Sequence, residues 1–214
     1  VVHPRTRVGA RRGWGDVDTS PVMAEHPLQY TWTLWTDGQS KKKVDQQNWE
    51  ANVKHVADFA TVEEFWGVFN NILEPSQMDL GINYHLFRKG IMPKWEDPAN
   101  EHGGKWVLTN PKSKNKMLDE LWMNTILGII GENYREDENR DICGIVLSIR
   151  RGRDRISVWT ASAENGDLQM SIGRAWKTAV TQNWPNSDYK LEYMCHKASM
   201  AANSSYENAS KYNL

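Results

Sequence analysis

The feature that most restricts this chain is the alternation of Leu28, Tyr30, Trp32 and Leu34 with Gln29, Thr31, Thr33 and Trp35. A period of two marks a strand with one buried face, and such segments recur here between helical ones. Thr61-Val-Glu-Glu64 reads as a capping box, with Thr61 as N-cap and Glu64 at the third helical position. It predicts a helix running to about Leu73 whose buried stripe is Phe65, Phe69 and Ile72. Tyr84 to Arg88 and Lys105 to Thr109 read as short strands, and a second helix runs from about Lys116 to Ile130, stopping at Gly131. Ile142 to Arg150 and Arg155 to Thr160 form a hairpin around an Arg-Gly-Arg-Asp turn. A third helix follows Gly166 or Gly173 and ends before Pro185, and Tyr189 to Met194 is the last strand. Hairpin-length links among interleaved strands and helices predict an α+β fold, one curved antiparallel sheet with helices on one face.

The chain divides into three parts. Residues 1–25 carry Arg5, Arg7, Arg11 and Arg12 without an apolar period and read as a disordered Arg-rich arm. Residues 26–196 form one domain with no repeat or dividing linker, and 197–214 read as a flexible C-terminal segment. The longest apolar stretch, around Ile126 to Ile130, is far short of the roughly 18 to 20 residues of a membrane-spanning helix. Cys143 and Cys195 are too few for a disulfide framework or a zinc knuckle and fit a reducing compartment. No glycine-rich phosphate loop, His-Glu-x-x-His or Gly-x-Ser-x-Gly occurs, and the six His are scattered without ligand spacing. No metal, cofactor or catalytic residue is therefore expected.

With 26 Lys+Arg against 27 Asp+Glu, this is not a protein coated with charge for long nucleic acid. One concentrated anion-attracting spot exists, in Arg150, Arg151, Arg153 and Arg155. The 11 Trp outnumber the 7 Tyr and the 4 Phe, and they differ in context. Trp32, Trp66, Trp106 and Trp122 stand in strands or helices, where core packing is the default. Trp49 and Trp95 stand in polar, loop-like text, where a ring flanked by charge is not easily buried, and two readings stay open: no ligand role, or stacking platforms for a flat ligand. Glu96 favours the second, since a carboxylate beside an aromatic ring can accept two hydrogen bonds from a donor edge such as guanine N1–H and N2–H. Two indole faces also attract a cationic ring, by roughly 0.5 to 2 kcal/mol. Stacking rings, a carboxylate and an Arg cluster together describe a pocket for a positively charged purine nucleotide.

At this point the residues resemble a known family, eukaryotic translation initiation factor 4E. The likeness runs from His26-Pro27-Leu28 to about His196, through Trp32-Thr-Leu-Trp35, Asn48-Trp49-Glu-Ala-Asn52, Thr61-Val-Glu-Glu-Phe-Trp66, Phe87 to Asp97, Gly103-Gly-Lys-Trp106, Ile130-Gly-Glu132, Cys143-Gly144 and Ile156-Ser-Val-Trp-Thr160. The resemblance implies a single curved antiparallel sheet of about eight strands, three helices on its convex face and the 7-methylguanosine cap of mRNA in the concave one. Trp49 and Trp95 would sandwich the methylated base, Glu96 would read its edge and Trp159 would contact the N7 methyl group. Arg150 and Arg155 would hold the triphosphate, with Lys105 in support. The ligand would be the cap itself, with no cofactor, and the protein a non-enzymatic cytoplasmic monomer, present in the nucleus as well in some settings.

A second surface is suggested by helix periodicity. Met123, Leu127 and Ile130 lie beyond the Leu118/Leu121/Trp122/Ile129 stripe of the second helix, and Trp66 projects at the margin of the first. The resemblance implies that Val62, Trp66 and the second helix dock a Tyr-x-x-x-x-Leu-hydrophobic helix of the initiation factor 4G scaffold or of 4E-binding repressors, with His26 and Pro27 at the border. Asn124 stands where family members commonly carry an acid facing the partner. Ser205 lies near a position phosphorylated in some members. Two alternatives share the site: a cap-binding translational repressor or divergent paralogue, and a hydrolase acting on capped ends.

Overall fold

The computed structural model describes residues 25–38, 52–110, 116–183, 189–202, 204 and 209–214. Trp49, the lysine run at 41–43, the arm arginines and Ser205 lie outside the described residues. Eight strands form one sheet: β1 (Pro27–Asp37), β2 (Val53–Thr61), β3 (Asn83–Arg88), β4 (Gly104–Asn110), β5 (Ile142–Ser148), β6 (Asp154–Thr160), β7 (Leu191–Cys195) and β8 (Tyr212–Asn213). Their order across the sheet is β2-β1-β3-β5-β6-β4-β7-β8, and every neighbouring pair is antiparallel. The helices are α1 (Val62–Phe69), α2 (Lys116–Ile130), α3 (Glu136–Asp141), α4 (Gly166–Thr181) and α5 (His196–Ala202).

The three expected helices are present, α2 with the expected ends. Helix α1 starts as its capping residues require: the Thr61 hydroxyl accepts from the Glu64 N–H at 3.1 Å, while the Glu64 carboxylate accepts from Ala60 N–H at 2.7 Å, one residue before the N-cap. It ends at Phe69, short of the expected Leu73: Asn70 is its C-cap, and Asn71 donates its side-chain amide to Gly67 O at 2.7 Å, a polar pair that the apolar period ran through. Strand β2 is absent from the sequence reading; its text, Val-Lys-His-Val-Ala-Asp-Phe-Ala-Thr, carries charge on both sides and alternates poorly, and it forms because β1 offers an edge to pair with. The segment after residue 196 also departs from expectation. It contains α5, and β8 pairs Tyr212 with Tyr193 and Asn213 with Glu192, with Leu191 and Leu214 exchanging both backbone hydrogen bonds. Residues 197–202 thus continue α5, and 212–213 join the sheet, tied by backbone groups that leave no sequence signature.

Two apolar layers result. The larger joins Trp32, Leu34, Leu86, Trp106, Leu108, Ile145, Leu147, Ile156, Val158, Leu191 and Tyr193 of the sheet to Phe65, Leu118, Leu121, Trp122, Ile126, Ile172 and Trp176 of the helices. Trp106 donates its indole N–H to Gln169 O at 3.0 Å and Trp176 to Thr125 Oγ1 at 3.0 Å, so these buried tryptophans tie sheet to helix and helix to helix. The smaller layer holds Phe87, Cys143, Val146 and Trp159, with Trp95, Ile91, Ala99 and Ala161 against it. Its strand residues are offset by one position from those of the large core, so it lies on the opposite sheet face.

Candidate functional site

The registers arrange that opposite face in rows. Phe87, Gly144, Trp159 and Lys105 lie side by side across β3, β5, β6 and β4. Two residues along each strand come His85, Val146, Ser157 and Val107, and then Asn83, Ser148, Arg155 and Thr109. Aromatic surface therefore stands at one end of the face and Arg155 at the other, four residues or about 13 Å along β6.

Trp159 is 6% exposed, held edge-on by Phe87 at 5.4 Å and 80° and contacted by the His196 ring at 4.1 Å and 41°. Gly144 opens the space for Phe87, since a Cβ there would lie 2.5 Å from Phe87 Cδ1 and 2.7 Å from Leu86 O.

Trp95 and Glu96 come from the loop between β3 and β4. Trp95 is half-buried against the small cluster, and Glu96 beside it is exposed. The loop is clamped from within. Asp97 accepts from the N–H groups of Met92 and Ala99, each at 2.9 Å. Asn100, fully buried, donates its amide to Met92 O at 2.9 Å and Lys94 O at 2.8 Å. These bonds hold an irregular Trp-bearing loop to one shape without regular structure.

The Arg cluster is divided by the hairpin. Arg151 and Arg153 are exposed at the tip, where Gly152 at φ +80° turns the chain. Fully buried Asp154 accepts from Arg150 N–H at 2.9 Å and fixes the hairpin base. Arg150 and Arg155 are half-buried, and Arg155 faces the aromatic side of the sheet. Lys105 is 3% exposed, in register between Trp159 and Met194.

The structure thus brings Trp95, Trp159, Lys105 and Arg155 to one side of the sheet, with Arg150 at the hairpin base and Glu96 at the rim; Trp49 falls outside the described residues. Sequence reasoning missed Phe87, Asp97, Asn100 and His196 as supports. Only the Trp-Glu-Asp run hinted at any of them.

The second expected surface lies on the helices. Val62, Trp66 and Leu127 are 37%, 39% and 36% exposed, apolar side chains on the α1 and α2 helices. Met123 and Asn124 are half-buried, and Ile130, expected on the outer side, is buried, because the α2 face toward the sheet is wider than the periodic stripe. His26 borders this surface: Glu63 accepts from its backbone N–H at 3.0 Å and contacts its Nδ1 at 2.6 Å, and Val62 N–H bonds His26 O at 2.9 Å. The backbone bond first, and the ring second, hold the Glu63 carboxyl down at about 2. Pro27 follows at the start of β1.

Among the described residues no His, Cys, Asp and Glu cluster could hold a metal, and no helix is long and apolar enough to cross a membrane. Two clefts, of about 250 Å³ beside Tyr30 and Glu132 and about 430 Å³ between Arg135 and Arg174, lie away from the aromatic side of the sheet and have polar walls.

The fold and this division of labour define a class, an open antiparallel sheet that gives one side to helices and keeps an aromatic and cationic strip on the other. The sequence model of eukaryotic initiation factor 4E matches residues 27–211, and the chain belongs to that family. It is 40% identical over 175 residues to the Capsicum annuum eukaryotic translation initiation factor isoform 4E, covering 82% of this chain and 81% of that protein. It is 41% identical over 179 residues to the Arabidopsis thaliana eukaryotic translation initiation factor 4E-1, covering 82% and 74%. Among solved structures, C. elegans eIF4E-3 in complex with the 4E-binding protein Mextli and a cap analog superposes with TM-score 0.77 at 33% identity, over 89% of this chain and 100% of that one. Ascaris suum eIF4E-3 with an m2,2,7G cap gives TM-score 0.77 at 34% identity, over 89% and 99%.

Proposed function

We propose that this protein binds the 7-methylguanosine cap of mRNA and recruits the translation initiation scaffold. It is a binding protein and not an enzyme. The observation that carries the reading is the aromatic cluster on the sheet face opposite the large core, where Trp95 and Trp159 stand near the acidic Glu96 and in line with Arg155. A cationic purine suits that chemistry. Indole faces attract its charge, a carboxylate accepts its N1–H and N2–H, and guanidinium groups pair with the phosphates. In this reading Trp49 and Trp95 sandwich the base, Glu96 reads its edge, Trp159 meets the methyl group, and Arg150 and Arg155 hold the triphosphate with Lys105 behind them. Support comes from relatives solved with cap analogs and with 4E-binding proteins. Val62, Trp66, Met123, Asn124 and Leu127, bordered by His26 and Pro27, form the docking face for a helix from the scaffold or from a repressor. The work is placed in the cytoplasm, where capped messages meet the ribosome.

The test is a paired fluorescence titration with 7-methyl-GTP and GTP, which share a triphosphate and differ in ring charge. The methylated nucleotide should bind much more tightly, and Trp95→Ala should cost about 1 to 3 kcal/mol of that affinity through lost stacking. Equal affinity for the two nucleotides sinks the reading. Trp66→Ala should leave cap affinity unchanged while abolishing capture of a Tyr-x-x-x-x-Leu-hydrophobic peptide.

A further inference from the structure

Among the described residues, His196 is the imidazole in ring contact with Trp159. It begins α5 immediately after β7, and its backbone N–H donates to Gly103 O at 3.0 Å, so its position follows from the pairing of β7 with β4. The side chain is fully buried, yet among the described residues neither Nδ1 nor Nε2 has a hydrogen-bond partner. A buried polar group left unpaired is a cost that proteins usually avoid, and departures of this kind concentrate where function overrides stability. What the ring does touch is Trp159, at 4.1 Å between centroids. Burial, aided by the charge of Lys105, drives its pKa down to about 3 and favours the neutral ring.

Trp159 depends on its neighbours for its orientation. Only 6% of it is exposed, so a small turn of the indole would withdraw what it offers to a ligand. Two rings prevent that turn. Phe87 abuts it edge-on from β3, and His196 lies against it from the β7–α5 junction. The Phe87 side is itself tight, because Gly144 leaves no room behind that ring. The other ring contact is that of residue 196, whose flat and thin side chain lies 4.1 Å from Trp159 between centroids.

We propose that His196 is a positioning residue that fixes the ligand-facing edge of Trp159 and so sets the degree to which a cationic base is preferred over a neutral one. The inference rests on the cap-binding reading and deepens it. The ring acts as a planar wall, and its neutrality keeps a second positive charge away from a cationic ligand. The nitrogens are not needed for hydrogen bonding, so another flat neutral ring substitutes for it and a bulky aliphatic side chain does not.

The experiment compares the affinities of the full chain and three variants for 7-methyl-GTP and GTP by fluorescence titration. In His196→Ala, 7-methyl-GTP should weaken about tenfold and GTP less than about twofold, a loss of one order of magnitude in preference on the scale of about 1.4 kcal/mol per tenfold. His196→Leu fills the volume without a flat ring, removes the unpaired nitrogens and should fold at least as well; it should lose preference like the alanine variant. His196→Phe should restore the ratio to within about twofold of wild type. A merely structural role would weaken both nucleotides in the same proportion, which overturns the proposal. So does an unchanged ratio in His196→Leu, or a phenylalanine variant as unselective as the leucine one. If wild type itself shows no preference for the methylated nucleotide, the cap-binding reading has failed, and that outcome is visible before any variant is made.

Discussion

Replacing Gly144 by alanine adds a single methyl group to the centre of the sheet, and the structure says what it meets. The new Cβ would lie 2.5 Å from Phe87 Cδ1 and 2.7 Å from Leu86 O. Two terms favour the alanine: burial of one methyl, about 0.8 kcal/mol, and reduced freedom of the unfolded chain, about 0.4 to 1 kcal/mol. Against them stands overlap with a backbone carbonyl held in the β3–β5 ladder and with a fully buried ring that can shift only at the expense of its packing. Overpacking of this type outweighs the gains and leaves a net loss of about 1 to 3 kcal/mol. The yielding part is Phe87, and because Phe87 braces Trp159, affinity for 7-methyl-GTP should fall with stability. Gly67→Ala supplies the control. It sits in α1 with nothing within 4 Å of its Cβ, so the same chemical change should stabilise by about 0.5 to 1 kcal/mol. Urea unfolding followed by far-UV circular dichroism measures both, with the slope unchanged. If Gly144→Ala unfolds at the wild-type midpoint, or if the two variants shift in the same direction, the packing argument is wrong.

Three further outcomes follow from particular contacts. Thr61→Ala removes the side-chain acceptor of the Glu64 N–H and should cost about 1 kcal/mol in the same unfolding assay. Asn100→Ala leaves the carbonyls of Met92 and Lys94 without their donor and should cost about 1 to 3 kcal/mol while loosening Trp95, read as weaker 7-methyl-GTP binding. Burial and Lys105 depress His196 from 6.5 to about 3, so between those values the unfolded chain holds a proton that the folded chain lacks. The contribution to stability is therefore complete above pH 6.5 and is lost as pH falls toward 3, at up to about 1.4 kcal/mol per pH unit. The difference in slope between wild type and His196→Phe isolates it from Asp141, whose carboxyl is raised by burial and acts with the opposite sign. Identical slopes from pH 6.5 to 4.5 would refute the assignment.

The sequence by itself determined the elements whose signals are local. Period-2 alternation placed β1, the capping residues opened α1, and an apolar period closed by Gly131 bounded α2. The chemistry of the site was legible for a related reason. A tryptophan in charged loop text stands apart from the core tryptophans, and Trp95 with Glu96 and the Arg run raised the expectation of a ligand before any fold was known. What the tertiary structure alone decided is which side chains share a sheet face. Trp159 reads as one more core aromatic along its strand, and only the β3-β5-β6-β4 register puts it with Phe87 and Lys105, away from Val158 and Ile156. Strand β2, the return of residues 212–213 to the sheet and the seat of His196 were equally hidden. All three depend on pairing between residues far apart in the chain, and a backbone hydrogen bond to a distant strand is made by groups that every residue carries.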